Sequence, residues 1–148
     1  MPDAEARVDQ LNLIVHDMDA TLAFYRRLGF SIEDPGEWPP GSGARHASVV
    51  MPNGLRLEFD NDAMTRIWHG GWRDQPGSGG ATVLSVALSS RDAVDRRHAE
   101  LVGDGFASRQ PPYDAFFGAR YAIVQDPDGR DVGLMSPVDP NRRYIPDS

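Results

Sequence analysis

An α+β fold made of two βαβββ modules in tandem is what this 148-residue sequence predicts, and two observations carry the prediction. The first is an internal repeat. The stretch ARHASVVMPNG from Ala44 to Gly54 returns as ARYAIVQDPDG from Ala119 to Gly129, with six of eleven positions identical at a constant offset of 75 residues. The second is a change of hydrophobic period from two to about 3.6 and back to two, which occurs once in each half of the chain.

Each element follows from those periods. In VDQLNLIVHD, Leu11, Leu13 and Val15 alternate with Gln10, Asn12, Ile14 and His16, the pattern of a half-buried strand. DMDATLAFYRRLGF then places Met18, Leu22, Tyr25 and Leu28 at helical spacing, with Asp17 or Asp19 to cap the start and Gly29 to end it. FSIED, RHASVV and LRLEFD follow as short strands, the last two joined by the turn MPNG. The second half repeats the order: ATVLSVALS as strand, RDAVDRRHAELVGDG as helix, then FASRQ, RYAIVQ and RDVGLMS as strands. Asp17 matches Asp92, and with one residue inserted in the helix, Met18, Leu22 and Tyr25 match Val94, His98 and Leu101. Module one thus covers about residues 8–60 and module two about 81–137, within a single domain over 1–148. Between them lies a Gly-rich, tryptophan-bearing linker over 61–80, and 138–148 reads as an irregular, mobile tail.

Composition narrows the function classes. At 16.3 kDa and 40% hydrophobic residues, the chain is long enough for a real core. It holds no apolar run near the roughly 18 residues of a membrane span, and its polar, acidic start is unlike a secretory leader, so a cytoplasmic location is expected. Cysteine is absent, which removes disulfides, thiolate catalysis and Cys-based metal sites. All fifteen basic residues are arginine, which excludes Schiff-base chemistry on a lysine and otherwise reflects codon usage. A net charge of −7 disfavours nucleic acid and anionic membranes and suits a neutral or cationic small ligand.

The paired motifs VHDMDATLAFYRRLGF and YAIVQDPDGRDVGL, with the modules around them, resemble the vicinal oxygen chelate superfamily, which includes glyoxalase I, extradiol dioxygenases and bleomycin-binding proteins. The resemblance covers roughly residues 8–137 and implies that the modules form a concave, half-barrel-like mixed sheet. LRLEFD, GGATVLSVALSSRDAVDRRHAELVGDGF and AFFGARYAIVQDPDG are similar to mitomycin-binding resistance proteins, which sequester a drug without a metal. Enzymes of the superfamily take one metal ligand from the first and last strand of each module. The resemblance places those positions at Gln10, Glu58, Ser85 and Gly133, counting seven residues before Asp17 and Asp92 and four after Gly54 and Gly129. One carboxylate, an amide, a serine and a glycine make a poor site for a hard divalent ion, so neither metal nor other cofactor is expected. His16, His46, His69 and His98 show no paired ligand spacing, and an ordinary packing or surface role is expected for each. The resemblance also implies a homodimer.

Alternation on LRLEFD puts Leu55, Leu57 and Phe59 on a helix-facing side and Arg56, Glu58 and Asp60 on the other. The latter are joined by Gln10, Asn12, Ser85, Ala87, Asp131 and Gly133 on the concave side that the resemblance implies. Trp38, Trp68, Trp72, Tyr113, Phe116 and Phe117 fall in loops or linkers, where rings either stack on a flat ligand or plug module and dimer interfaces. With Glu58 they are the candidate ligand-binding residues. Two functions stay open: a protein that sequesters a planar or cationic compound such as an antibiotic, and a glyoxalase- or dioxygenase-like lyase or isomerase using a reduced metal site with Glu58.

Overall fold

The computed structural model of the chain describes Val8, residues 10–69 and residues 82–146. The chain divides into two units, Met1–Gln75 and Pro76–Ser148. In the first run β1 (Gln10–Val15), α1 (Met18–Leu28), β2 (His46–Val50), β3 (Arg56–Asn61) and α2 (Asp62–Trp68). In the second run β4 (Val83–Ala87), α3 (Arg91–Gly103), β5 (Ser108–Asp114), β6 (Arg120–Gln125) and β7 (Asp131–Met135), followed by a 3-10 turn at Pro140–Arg142. The fold is α+β with two open mixed sheets, ordered β1-β3-β2 and β4-β7-β6-β5.

The first unit forms where the periodicity places it. Asp17 caps α1 by accepting from the Ala20 N–H, and Gly29, at φ 123°, closes it in a conformation that costs glycine little. The buried stripe Met18, Leu22, Tyr25 and Leu28 meets Leu57 and Phe59 of β3, with the Tyr25 and Phe59 rings 5.0 Å apart. β3 is central: parallel to β1 and antiparallel to β2, with Glu58 opposite both Asn12 and Ser48.

In the second unit Val94 and Leu101 of α3 are buried, as are Ala122, Val124, Val132 and Leu134 on β6 and β7. On the other face the Tyr121 ring lies over Gly133. A Cβ on Gly133 would lie 2.7 Å from the Tyr121 hydroxyl, so only glycine admits that ring. The hydroxyl is hydrogen-bonded to Ser85, which lies directly opposite Gly133.

Four expectations change. FSIED forms no strand: the Ile32 carbonyl accepts from both Arg26 Nε and Nη2, and the Pro35 carbonyl from Arg45 Nε. Side chains therefore hold acceptors that a sheet would use, and only the Glu37–Arg45 bridge remains. FASRQ overlaps a strand that runs later, over Ser108–Asp114, with one register shift between Ser108 and Gln110 and another across Pro111 and Pro112, as suits an edge strand. The supposed linker contains α2, whose cap Asn61 accepts from the Met64 N–H while the Thr65 hydroxyl donates to the Asn61 carbonyl. The tail is tied down rather than loose over its described residues. Its Asp139 N–H donates to the Gly118 carbonyl, the Tyr144 N–H to the Phe116 carbonyl and the Tyr144 hydroxyl to the Asp114 carbonyl.

Two stability measurements follow from this packing. Phe59→Ala removes a fully buried ring and should cost about 3–5 kcal/mol in urea denaturation, whereas exposed Val50→Ala should cost under about 1. Gly133→Ala should destabilise through Tyr121. A double-mutant cycle with Tyr121→Ala should show at least about 1 kcal/mol of coupling, and additive effects would contradict the close packing of that pair.

Candidate functional site

The pleat of β3 builds the site. With Leu57 and Phe59 turned to α1, Glu58 and Asp60 share the opposite face with Gln10 and Asn12 of β1 and His46 of β2. The tight MPNG hairpin sets His46 directly opposite Asp60. Arg56 Nη2 donates to Gln10 Oε1, Gln10 Nε2 donates to Asn12 Oδ1 at 2.8 Å, and Asn12 Nδ2 donates to Asp60 Oδ2 at 3.2 Å. His46 Nδ1 lies 2.6 Å from Asp60 Oδ1, and His46 Nε2 lies 3.0 Å from Glu58 Oε2. Arg56 Nε, 3.3 Å from Glu58 Oε1, completes a closed ring of six polar side chains.

The two carboxylates in that ring are deeply set, Glu58 at 5% and Asp60 at 2% exposure. Each imidazole nitrogen faces one of them, and only a doubly protonated ring can donate to both. Glu58 Oε2 is nonetheless without a hydrogen bond, because His46 Nε2, although 3.0 Å away, is not aligned to donate to it.

Above the ring opens a cavity of about 610 Å³. Gln10, Asn12, His46 and Asp60 form its polar lining, and Trp38, Met64 and Trp68 its apolar lining. Trp38 is 69% exposed and Trp68 50%, far more than rings serving a core. A second groove, about 620 Å³, runs along β2 between Ser31–Pro35 and His46–Val50. It exists because FSIED does not pair with β2, and His46 borders both spaces.

Of the candidate residues, Trp38 and Trp68 therefore share one cavity. Glu58 lies on the expected face but is not part of the cavity lining; its Oε2 is sealed from solvent against His46. Tyr113, Phe116 and Phe117 belong to the second unit and form an edge-to-face cluster with Tyr121, at 6.4 Å for Tyr113–Tyr121, 5.6 Å for Phe117–Tyr121 and 5.3 Å for Phe116–Phe117. Trp72 lies outside the described residues. Residue patterning alone passed over His46 and Tyr121. The signal was present, since the two occupy matching positions in the repeat, 75 residues apart. His98, by contrast, keeps a packing role: its Nε2 is 2.7 Å from Ser108 Oγ, and burial, opposed by Asp95, lowers its imidazole below the usual histidine range.

Strand register also moves one of the four metal-ligand positions. Ser85 lies opposite Gly133, and the residue opposite Glu58 is Asn12, not Gln10. Asn12 precedes the helix cap Asp17 by five residues, as Ser85 precedes the cap Ser90. The aspartate-based count errs because Asp17 is the cap of α1, whereas Asp92 lies inside the first turn of α3, two residues past the cap Ser90. Neither choice yields a metal site. Asn12 bonds Asp60, Glu58 is engaged by Arg56 and His46, and the Tyr121 phenol takes the space over Gly133 and Ser85. Burial raises that phenol above the ordinary tyrosine value, opposed by its bond with Ser85. The residues present thus do not fit the metal that the superfamily's enzymes use, and among the described residues no group of three or more His, Asp or Glu could hold one.

Known proteins bear on this geometry. The chain is 27% identical over 127 residues to an uncharacterized protein of Mycobacterium bovis, covering 86% of this chain and 81% of that one. It superposes on a glyoxalase/bleomycin resistance protein/dioxygenase from Nocardioides with a TM-score of 0.66 at 25% identity, over 93% of this chain and 87% of the other. A glyoxalase-related enzyme from Fulvimarina pelagi shares the fold, with a TM-score of 0.69 at 20% identity over 88% of each chain. Residues 7–134 match the family model that joins these names. The repeated βα units, their shared sheet order and that match agree, and the chain belongs to the Glyoxalase/Bleomycin resistance protein/Dioxygenase superfamily.

Proposed function

We propose that this protein binds a flat small molecule in the cavity of its first unit and holds it without metal-dependent chemistry, as a protein that sequesters an antibiotic would. The observation that carries the reading is the pairing of two exposed tryptophans, Trp38 and Trp68, over a hydrogen-bonding floor in a cavity of about 610 Å³. That volume falls in the range of drug-sized pockets, and the mix of aromatic walls with a few placed polar groups is what such pockets use. Glyoxalase- or dioxygenase-like chemistry is the weaker reading, because Tyr121 fills one pair of ligand positions and Arg56, His46 and Asp60 engage the other. We also propose a homodimer in the cytoplasm, on the exposure of Val50, Ile67 and Phe116 and the superfamily likeness. No helix among the described residues is long and apolar enough to cross a membrane.

A screen of planar compounds by tryptophan fluorescence tests the binding role. For any hit, Trp38→Ala and Trp68→Ala should each weaken binding by about 1–3 kcal/mol in calorimetric titration. Phe116→Ala and Phe117→Ala, which alter the second unit's aromatic cluster, are the comparison variants. If neither tryptophan variant changes the affinity of a hit, the stacking pocket is wrong. Sedimentation at micromolar concentration reads the assembly, and a monomer unchanged by ligand would rule out the dimer.

A further inference from the structure

The floor of the cavity carries more information than its shape. Two buried carboxylates face each other across one small heteroaromatic ring, and that ring comes from the protein itself: His46 sets one nitrogen 2.6 Å from Asp60 and the other 3.0 Å from Glu58. The fit is incomplete. Glu58 Oε2 has no hydrogen bond although its side chain is only 6% exposed, and Asp60 Oδ2 accepts only the long 3.2 Å bond from Asn12. A buried carboxylate oxygen without a donor is costly, so this slot is suited to a better-aligned N–H group than the one it holds.

We infer that the slot between Glu58 and Asp60 is a recognition site for a planar cation of the amidinium or imidazolium class, which enters from the tryptophan-walled cavity and displaces the His46 ring. This deepens the binding role proposed above and rests on it. Three features support the exchange. An amidinium, like an imidazolium, presents two N–H donors splayed about one carbon, so it matches the acceptors that His46 now bridges. The His46 side chain is 44% exposed, against 6% and 3% for the two carboxylates, so the ring can leave while they cannot. It also borders the second groove, where Glu33 and Asp34 can receive it after displacement. Trp38 and Trp68 then face the flat body of the ligand, where a delocalised cation gains from the ring faces. Arg56 stays on Glu58 Oε1 and leaves Oε2 to the ligand.

Benzamidinium chloride and its neutral isostere benzamide are the probes, titrated by calorimetry and tryptophan fluorescence into the full chain. Benzamidinium should bind at least about tenfold more tightly than benzamide, a preference that Asp60→Asn and Glu58→Gln should each reduce. His46→Ala should strengthen benzamidinium binding a further several-fold, because the resident competitor is gone. In the unaltered protein, the imidazole resonances of His46 should shift on adding benzamidinium and not on adding benzamide. His46→Ser serves the same purpose should the alanine variant lose its circular dichroism. The inference is overturned if benzamide binds as well as benzamidinium, if His46→Ala weakens or does not alter benzamidinium binding, or if the His46 resonances stay fixed at saturation. Equal binding of both probes that still depends on Trp38 and Trp68 would sink the cation slot and leave the stacking pocket standing. Failure of both probes to perturb the tryptophans would overturn both.

Discussion

Everything described in the first unit depends on the pleat of one strand. β3 is hydrogen-bonded on both sides, so its alternation has no freedom to slip: Leu57 and Phe59 must meet α1, and Glu58 and Asp60 must then stand on the opposite face. A shift of one residue would drive two carboxylates under Tyr25 and Leu22, at a cost that the unit's stability could not absorb. The apolar half of the strand thereby holds the acidic half in place. The carboxylates stay buried because Phe59 is packed, and they are tolerated there because Arg56, Asn12 and His46 answer them.

The repeat shows how one scaffold can carry two unlike surfaces. His46 and Tyr121 hold matching places, one opposite Asp60 and the other opposite Met135, and each turns toward the residue four positions after the hairpin glycine. In the first unit that residue is Glu58, and a charged ring forms. In the second it is Gly133, and the missing side chain lets an aromatic ring settle onto the sheet, backed by Phe117 and Tyr113. The difference follows from size and charge at two positions. A side chain at 133 would compete with Tyr121 for the same volume, and a phenol at 46 would not set two ring nitrogens between Glu58 and Asp60.

A strand that fails to form shapes the site as much as those that do. In the second unit β5 covers the outer edge of β6; in the first, Arg26 and Arg45 hold the carbonyls of Ile32 and Pro35, and β2 keeps an open edge. The result is a groove on the far side of His46, which leaves that ring between two spaces rather than walled into one. His46 is also far more exposed than the two carboxylates it touches, 44% against 6% and 3% for their side chains.

The sequence by itself determined α1, α3, most of the strands and the faces those strands bury. Periods of two and 3.6 record which side of each element is buried, the caps Asp17 and Gly29 are local chemistry, and the 75-residue offset exposed the duplication. The Gly133 position was legible too, as a carboxylate lost from one copy. Tertiary structure decided what depends on partners far along the chain. Whether FSIED pairs is settled by Arg26, which takes the carbonyl of its central Ile32, and by Arg45, which holds the Pro35 carbonyl just beyond it, contacts that the segment's own residues do not reveal. Which residue of β1 faces Glu58 is settled by strand register, and this put Asn12 where counting from an aspartate put Gln10. His46 looked ordinary because histidine spacing along the chain is uninformative; only the hairpin and the pleat bring Glu58 and Asp60 to its two nitrogens. Local patterns report burial, because burial is repeated at every turn of an element. Sites are built from single long-range encounters, which leave no period to read.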